Sequence, residues 1–430
     1  MNTLSDYQAR VAELEYTLEA KNANLRDMAI MGSVLTSIHE IETVLPVVME
    51  MAIGLAGAEV GLIMLESGDE LRPSASWGIN HEFARTLMYQ DGMDLPTYCF
   101  SSGETVVLSE LGLRTDEGMS IQSIIALPIK TSEKCFGAML LINKTNGSGY
   151  SDDDKEILEL LLNFAAVAIE NSNLIKDKLD RLKIEQEMSI AKQIQETILP
   201  QDIDDMPGAE IGAVYFPARE VGGDFYGIRK LDDKRFVVIL GDVSNKGVPA
   251  ALVMSAADGI IKSTLAARPE ITVSELASTV NNLLCNEIIK DREMFVTLFF
   301  SKFDLEAKKM TYCNAGHLPG LFWSDEAREI CELAVGGPII GQFADISFEQ
   351  GERPINSGDR LFLFTDGLTE AADSNNQLFG RERAEQVFSA EIGRPPKEFC
   401  LIVKEWVDRF AVGCAEDTID DFTILQVRME

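Results

Sequence analysis

The chain has 430 residues, of which 46% are hydrophobic, and carries a formal net charge of −32. That length exceeds one ordinary core, so two or three domains are expected. The acidic balance excludes phosphate-backbone binding, because no Lys/Arg stretch is dense enough to release counterions, and it suits anionic lipid poorly. At the N-terminus, Leu4, Tyr7, Val11, Leu14, Leu18, Leu25 and Met28 alternate at spacings of three and four, broken only by Lys21. This pattern predicts a coiled-coil helix over 1–28 and a parallel homodimer; one amphipathic helix packed on its own domain is the alternative.

Between residues 29 and 172 the pattern is α+β, with strand-like runs at 59–67, 104–111, 123–131 and 134–144 and helices at both ends. The stretch "AMLLINKTNGSGYSDDDKEILELLLNFAAVAIENSNL" (138–174) resembles the C-terminal signature of GAF domains: a last strand ending in Asn-Lys, a loop, an aromatic-Ser-Asp helix start and an apolar helix. The resemblance implies an antiparallel sheet with helices that senses a small molecule or protein signal and dimerises. Asn143, Lys144, Tyr150 and Asp154 partly follow the NKFDE pattern of cyclic-nucleotide-binding members, with Lys155 where that pattern has Glu. The same residues also serve a strand-to-helix cap, with Ser151 as N-cap and Asp152 to Asp154 on the positive helix end.

The helix is expected to run on, because residues 153–198 contain neither Gly nor Pro and Pro200 ends the run. Residues 173–200 thus read as a helical linker that transmits a signal. Its apolar residues form two sets, Ile175, Leu179 and Leu182, then Ile184, Met188, Ala191 and Ile198, the second displaced by two positions. Such a phase break lets a helix take two arrangements, or is a local bend without consequence.

From 201 to 430 strands and helices come in clusters. Strands are predicted at 209–218, 235–242, 294–303, 310–316, 318–324, 359–366 and 421–429, and helices at 248–267, 274–290 and 396–411. Two sheets flanked by helices follow from that grouping. Asp224, Asp242, Asp366 and the Asp420-Asp421 pair each adjoin a strongly apolar run, so each lies where a strand meets a loop. Carboxylates from four strands, with glycines allowing close backbone approach, suit a hard-cation site. The chain has only three histidines, so hydrolytic chemistry would rest on carboxylates, metal or serine. Its seven cysteines include no CxxC pair and read as reduced core residues. The start MNTLSDYQAR lacks the order of a signal peptide, and no segment approaches roughly 18 uncharged apolar residues, so a cytoplasmic protein without a membrane span is expected.

The order "PAREVGGDFYG", "GDVSNKGVPAALVMS", "NAGHLPGLFW", "LFTDGLTEA", "DDFTIL" closely resembles the SpoIIE-type branch of the PPM/PP2C metal-dependent serine/threonine phosphatases, over about residues 185–430. The resemblance implies a PP2C-like α-β-β-α sandwich with two Mn2+ or Mg2+ ions bridged by a hydroxide that attacks phosphorus in line. Carried onto this chain, Asp242 bridges both ions, Asp366 and Asp420 complete the first, and Asp224 with the Val243 carbonyl completes the second. It further implies a phosphorylated protein substrate, a STAS-type anti-sigma-factor antagonist, with hydrolysis controlled by the GAF domain. A catalytically silent scaffold that binds a partner protein is the alternative.

Two positions depart from the family pattern: Gly227 stands where an Asp is common, and Asn245 where a Gly is common. Arg219 either clamps the substrate phosphate or pairs with Glu220 or Asp224. His317 reads as a hydrogen-bonding residue of its hairpin rather than as an acid, and Ser244 as a residue shaping the metal loop.

Overall fold

The computed structural model describes residue 10 and residues 29–430 except 39, 69, 80, 91, 115–118, 201–205, 207, 290–292 and 414–419. The expected coiled coil over 1–28 therefore lies, apart from Arg10, outside the described residues. The chain divides into two compact units, Met1–Lys183 and Ile184–Glu430.

The first unit is built on an antiparallel sheet of β1 (Ala58–Ser67), β2 (Glu70–Trp77), β3 (Val106–Leu108), β4 (Ile124–Lys130) and β5 (Cys135–Lys144), in the order β2-β1-β5-β4-β3. Alternation along β5 sends Met139 and Leu141 to one face, under α1 (Ile41–Ala56) and the start of α3 (Asp152–Ile198). Leu140 and Ile142 face the opposite way, toward α2 (Leu95–Ser102). Helix α1 ends where Gly57 turns left-handed at φ 60°, a conformation that costs glycine least. The edge strand β2 escapes the sequence reading because Pro73 interrupts it; the ladder with β1 shifts register at that point, as an edge strand permits.

The second unit is a two-sheet sandwich. One sheet contains β7 (Phe225–Lys230), β8 (Arg235–Val243), β9 (Val296–Asp304) and β10 (Lys309–Ala315) in chain order, with the short segments Gly336–Gly337 and Gly351–Pro354 added to β10. The other runs β12-β11-β13-β14-β6, from β6 (Ala209–Phe216), β11 (Gly320–Ser324), β12 (Glu329–Leu333), β13 (Arg360–Phe364) and β14 (Phe422–Met429). Phe236, Val238 and Leu240 of β8 meet Leu361, Leu363, Leu425 and Val427 between the sheets. Val237 and Ile239, one residue out of phase, pack against α4 (Val248–Ala267) and α5 (Val273–Leu283). On the far side Phe362 and Ile424 carry α7 (Gly380–Ala390) and α8 (Pro396–Phe410), while α6 (Asp366–Thr369) is a single turn after β13. The layers are α-β-β-α, as expected.

Helices α3 and α4 are long and apolar enough by composition to cross a membrane, though each carries charged residues. Each places part of its apolar residues in a protein core, Leu158, Leu162 and Ile169 in the first unit, and Met254, Ala257 and Ile261 in the second.

Candidate active site

Strand parity brings Asp224, Asp242 and Asp421 together, and Asp366 and Asp420 each adjoin a residue in that phase. On β8 the inward-facing positions 236, 238 and 240 continue to 242; on β7 Tyr226 and Ile228 face inward and their phase extends back to 224. The same count runs from Leu361 and Leu363 to Thr365 at the end of β13, and from Leu425 back to Thr423 and Asp421 at the start of β14. The end of β8 pairs with the start of β7, and the end of β13 with the start of β14, so all five lie at one end of the sandwich, between its sheets.

Asp224 is buried there, with only 1% of its surface exposed. Its Oδ2 accepts hydrogen bonds from Thr365 Oγ1 (2.7 Å) and Thr423 Oγ1 (2.6 Å), which join the two sheets. Its Oδ1 is equally buried and has no partner among the described residues. Burial, and then the charge of Asp242, hold this carboxyl well above the ordinary carboxylate range, against the pull of the two threonines. Burial and the charge of Asp366 likewise push Asp242 up to about 7, and burial with Asp420 and Glu370 pushes Asp366 up to about 6. A buried group of carboxylates that repel one another is stable as an ionised set only with cations among them. Asp366, Asp420 and Glu370 offer oxygens within 4.8 Å of one another. These donors fit a hard divalent cation, which takes oxygen ligands.

The backbone loops are shaped to the same end. Gly223 lies so close to the Val243 carbonyl that a Cβ there would sit 2.7 Å from it, and a Cβ at Gly222 would meet Asp421 Oδ2 at 2.5 Å. Asp421 accepts from the N–H groups of Ala218 (2.7 Å) and Gly223 (2.6 Å), fixing the loop that presents Asp224. Asp420 instead pairs with Lys246 (3.0 Å) from the loop after β8. Asn245 adopts φ 69° there, so it fills the left-handed position for which glycine is common.

The remaining predicted residues fall as follows. Ser244 Oγ accepts from the Phe295 N–H at 2.8 Å, which ties it to the loop. His317 is buried, with Nδ1 3.2 Å from Thr297 Oγ1 and its N–H donated to Asn314 Oδ1, and burial pushes its imidazole down to about 3. It is neutral near pH 7 and belongs to the hairpin. Arg219 is exposed in the bend before Gly222 and, among the described residues, pairs with neither Glu220 nor Asp224.

Sequence reasoning missed Thr365, Thr423, Glu370, Lys246 and Gln195. Gln195, near the end of α3, donates from Nε2 to the Gly222 carbonyl (2.7 Å) and accepts at Oε1 from the Gly222 N–H (3.1 Å). It thereby grips the loop two residues before Asp224.

In the first unit, Lys144 pairs with Asp154 (2.8 Å), Tyr150 donates to the Asn143 carbonyl (3.1 Å), and Asn143 donates to Glu59 (3.0 Å) and the Ser120 carbonyl (2.8 Å). These contacts give all four residues of the partial NKFDE pattern internal partners, in keeping with the capping alternative. A separate cavity of about 630 Å3 lies by β1 and β2, lined by Met64, Leu71, Arg85 and Phe100 among others.

Residues 232–430 match the family profile described as Stage II sporulation protein E (SpoIIE), and residues 40–169 match that of the GAF domain. Phosphoserine phosphatase RsbU of Bacillus subtilis (strain 168) is 31% identical over 198 residues, covering 46% of this chain and 57% of RsbU. Phosphoserine phosphatase RsbP of the same organism is 27% identical over 196 residues, covering 45% of this chain and 48% of RsbP. The chain spans about half the length of the curated relatives it matches. The solved SiaA-PP2C domain of Pseudomonas aeruginosa is similar at a TM-score of 0.52 and 21% identity, covering 58% of this chain and 99% of that domain, a likeness of fold.

Proposed function

We propose that this chain, whose residues 40–169 match the GAF profile and 232–430 the SpoIIE profile, is a signal-regulated, metal-dependent protein serine/threonine phosphatase. The observation that carries this reading is the convergence of Asp224, Asp242, Asp366 and Asp420 at one end of the sandwich, with Asp224 Oδ1 buried and unpartnered among the described residues. Asp242, Asp366, Asp420 and Asp224, with the Val243 carbonyl, are the groups that would hold two Mn2+ or Mg2+ ions. A divalent pair, when bound, supplies activated water and neutralises phosphoryl oxygens. Thr365 and Thr423 turn one oxygen of Asp224 away and leave the other for a ligand, and Asp421 sets the height of the loop. Two of the relatives being phosphoserine phosphatases supports phosphoserine or phosphothreonine on a partner protein as substrate, a STAS-type antagonist in this reading. The GAF domain supplies the control, and its 630 Å3 cavity is where a small signal would enter.

Asp242→Asn tests the site, because it removes a charge and little volume. Wild type should hydrolyse para-nitrophenyl phosphate only with manganese or magnesium, and manganese should raise its thermal midpoint. The variant should lose activity at least a hundredfold and lose the manganese shift while keeping its circular dichroism. Activity within threefold of wild type would sink the assignment.

A further inference from the structure

A groove of about 300 Å3 opens in the second unit beside the candidate metal ligands. One wall is Asp420, whose carboxylate also approaches that of Asp366. The opposite surface is apolar. Phe216 is 44% exposed and Phe422 is buried, their ring centroids 6.4 Å apart, and Ala371 and Ala411 leave room between them and α8. The charges at the rim already have partners. The Lys404 ammonium lies over both rings, 4.9 Å from the centre of Phe216 and 5.6 Å from that of Phe422, and pairs with Asp408. Asp420 is paired with Lys246. The interior therefore asks for an uncharged occupant.

We propose that this groove is the specificity pocket for the protein substrate, taking an apolar side chain close to the phosphoserine. The inference rests on the phosphatase reading above, since its occupant is fixed by continuity with the site. A phosphate held through divalent cations at Asp366 and Asp420 would lie beside the groove, which Asp420 lines. An extended peptide advances about 3.3 Å per residue and points alternate side chains the same way, so the second residue from the phosphoserine reaches the groove. A leucine, methionine or phenylalanine fills the space between Phe216 and Ala411. An aspartate there would be desolvated next to the Asp420 and Asp408 carboxylates. A small phosphate ester never touches this surface.

The test uses the full chain with manganese and synthetic phosphoserine peptides that differ only in the second residue before or after the phosphoserine, carrying Leu, Ala or Asp. In wild type the leucine peptide should exceed the aspartate peptide in kcat/KM by about tenfold on one of the two sides. Ala411→Trp, which fills the groove, and Phe216→Ala, which removes a wall at an exposed position, should each bring that ratio to within twofold of one. The ratio is internal to each variant, so a general loss of activity does not imitate the result. Equal rates for leucine and aspartate peptides in wild type, or a preference that survives both substitutions, overturn the groove. If wild type fails to hydrolyse even para-nitrophenyl phosphate with manganese, the phosphatase reading falls and this inference with it.

Discussion

Asp421 accepts hydrogen bonds from the backbone of Ala218 and Gly223, whereas its neighbour Asp420 pairs with Lys246 and faces Asp366. An amide at 421 would turn an N–H2 group toward one of those backbone donors. Losing such a charge-assisted bond costs about 1.5–3 kcal/mol. Asp421→Asn should therefore lower the unfolding free energy from urea titration by that amount and reduce hydrolysis through a displaced Asp224. Asp420→Asn should keep stability within about 1 kcal/mol, because one carboxylate fewer relieves repulsion, while activity falls at least a hundredfold. Urea titration and para-nitrophenyl phosphate turnover on both variants check this, and a reversed pattern would exchange the two roles. The aspartates were legible in sequence because each adjoins an apolar run, whose alternation sets the direction of Asp224, Asp242 and Asp421, while Asp366 and Asp420 stand one residue out of that phase. The residues that position them were not. Thr365 and Thr423 lie 141 and 199 residues from Asp224. A threonine beside a strand carries no mark of a partner that only the stacking of two sheets supplies.

At the scale of elements, the junction between β5 and α3 shows how a family signature can be structural. Burial alone would raise the Asp154 carboxyl, but its bonds from Lys144 and Ser151 outweigh that and hold it below the ordinary range. A carboxylate lowered in the fold contributes stability above its unfolded value, near 4, and that contribution is lost as pH falls through the folded value. Protection of amides in 135–155 against hydrogen exchange should accordingly decline below about pH 4. Asp154→Asn should lose about 1–2 kcal/mol of that protection at pH 7 and show a flatter acid dependence. An unchanged acid profile in the variant would remove Asp154 from the account. Long apolar strands such as β1, β5, β8 and β9 were legible. The strands β2, β7 and β12 and helix α7 were not, since Glu70–Trp77 carries Pro73, Phe225–Lys230 is short with Gly227 inside it, Glu329–Leu333 alternates weakly, and Gly380–Ala390 opens on the charged run Arg381, Glu382, Arg383.

The scale of the whole molecule is set by α3, which runs unbroken from Asp152 to Ile198 and contains the division between the two units. Of the second apolar set along it, Ile184 is 58% exposed and Ile198 packs against a core, so the set does not share one environment. Toward its end Gln195 and Leu199 are buried, and Ile198 packs against the core under α4. Leu179 and Leu182 are 60% and 49% exposed. At roughly 100° per residue, the 13 steps from Leu182 to Gln195 leave those faces about 140° apart. We propose that a rotation applied to the first face is carried to Gln195, whose two hydrogen bonds hold Gly222, two residues before Asp224. Phase, rather than length, should therefore govern activity. Two alanines inserted after Lys183 turn the faces by about 200° relative to each other, whereas seven inserted residues leave them within about 20°. The two-residue insertion should change manganese-dependent hydrolysis of a phosphoserine peptide at least fivefold, and the seven-residue insertion should leave it within twofold, with both variants sedimenting as the wild type does. Equal activity in the two insertions would make α3 a spacer, and control of the aspartates would then have to come through another surface of the second unit.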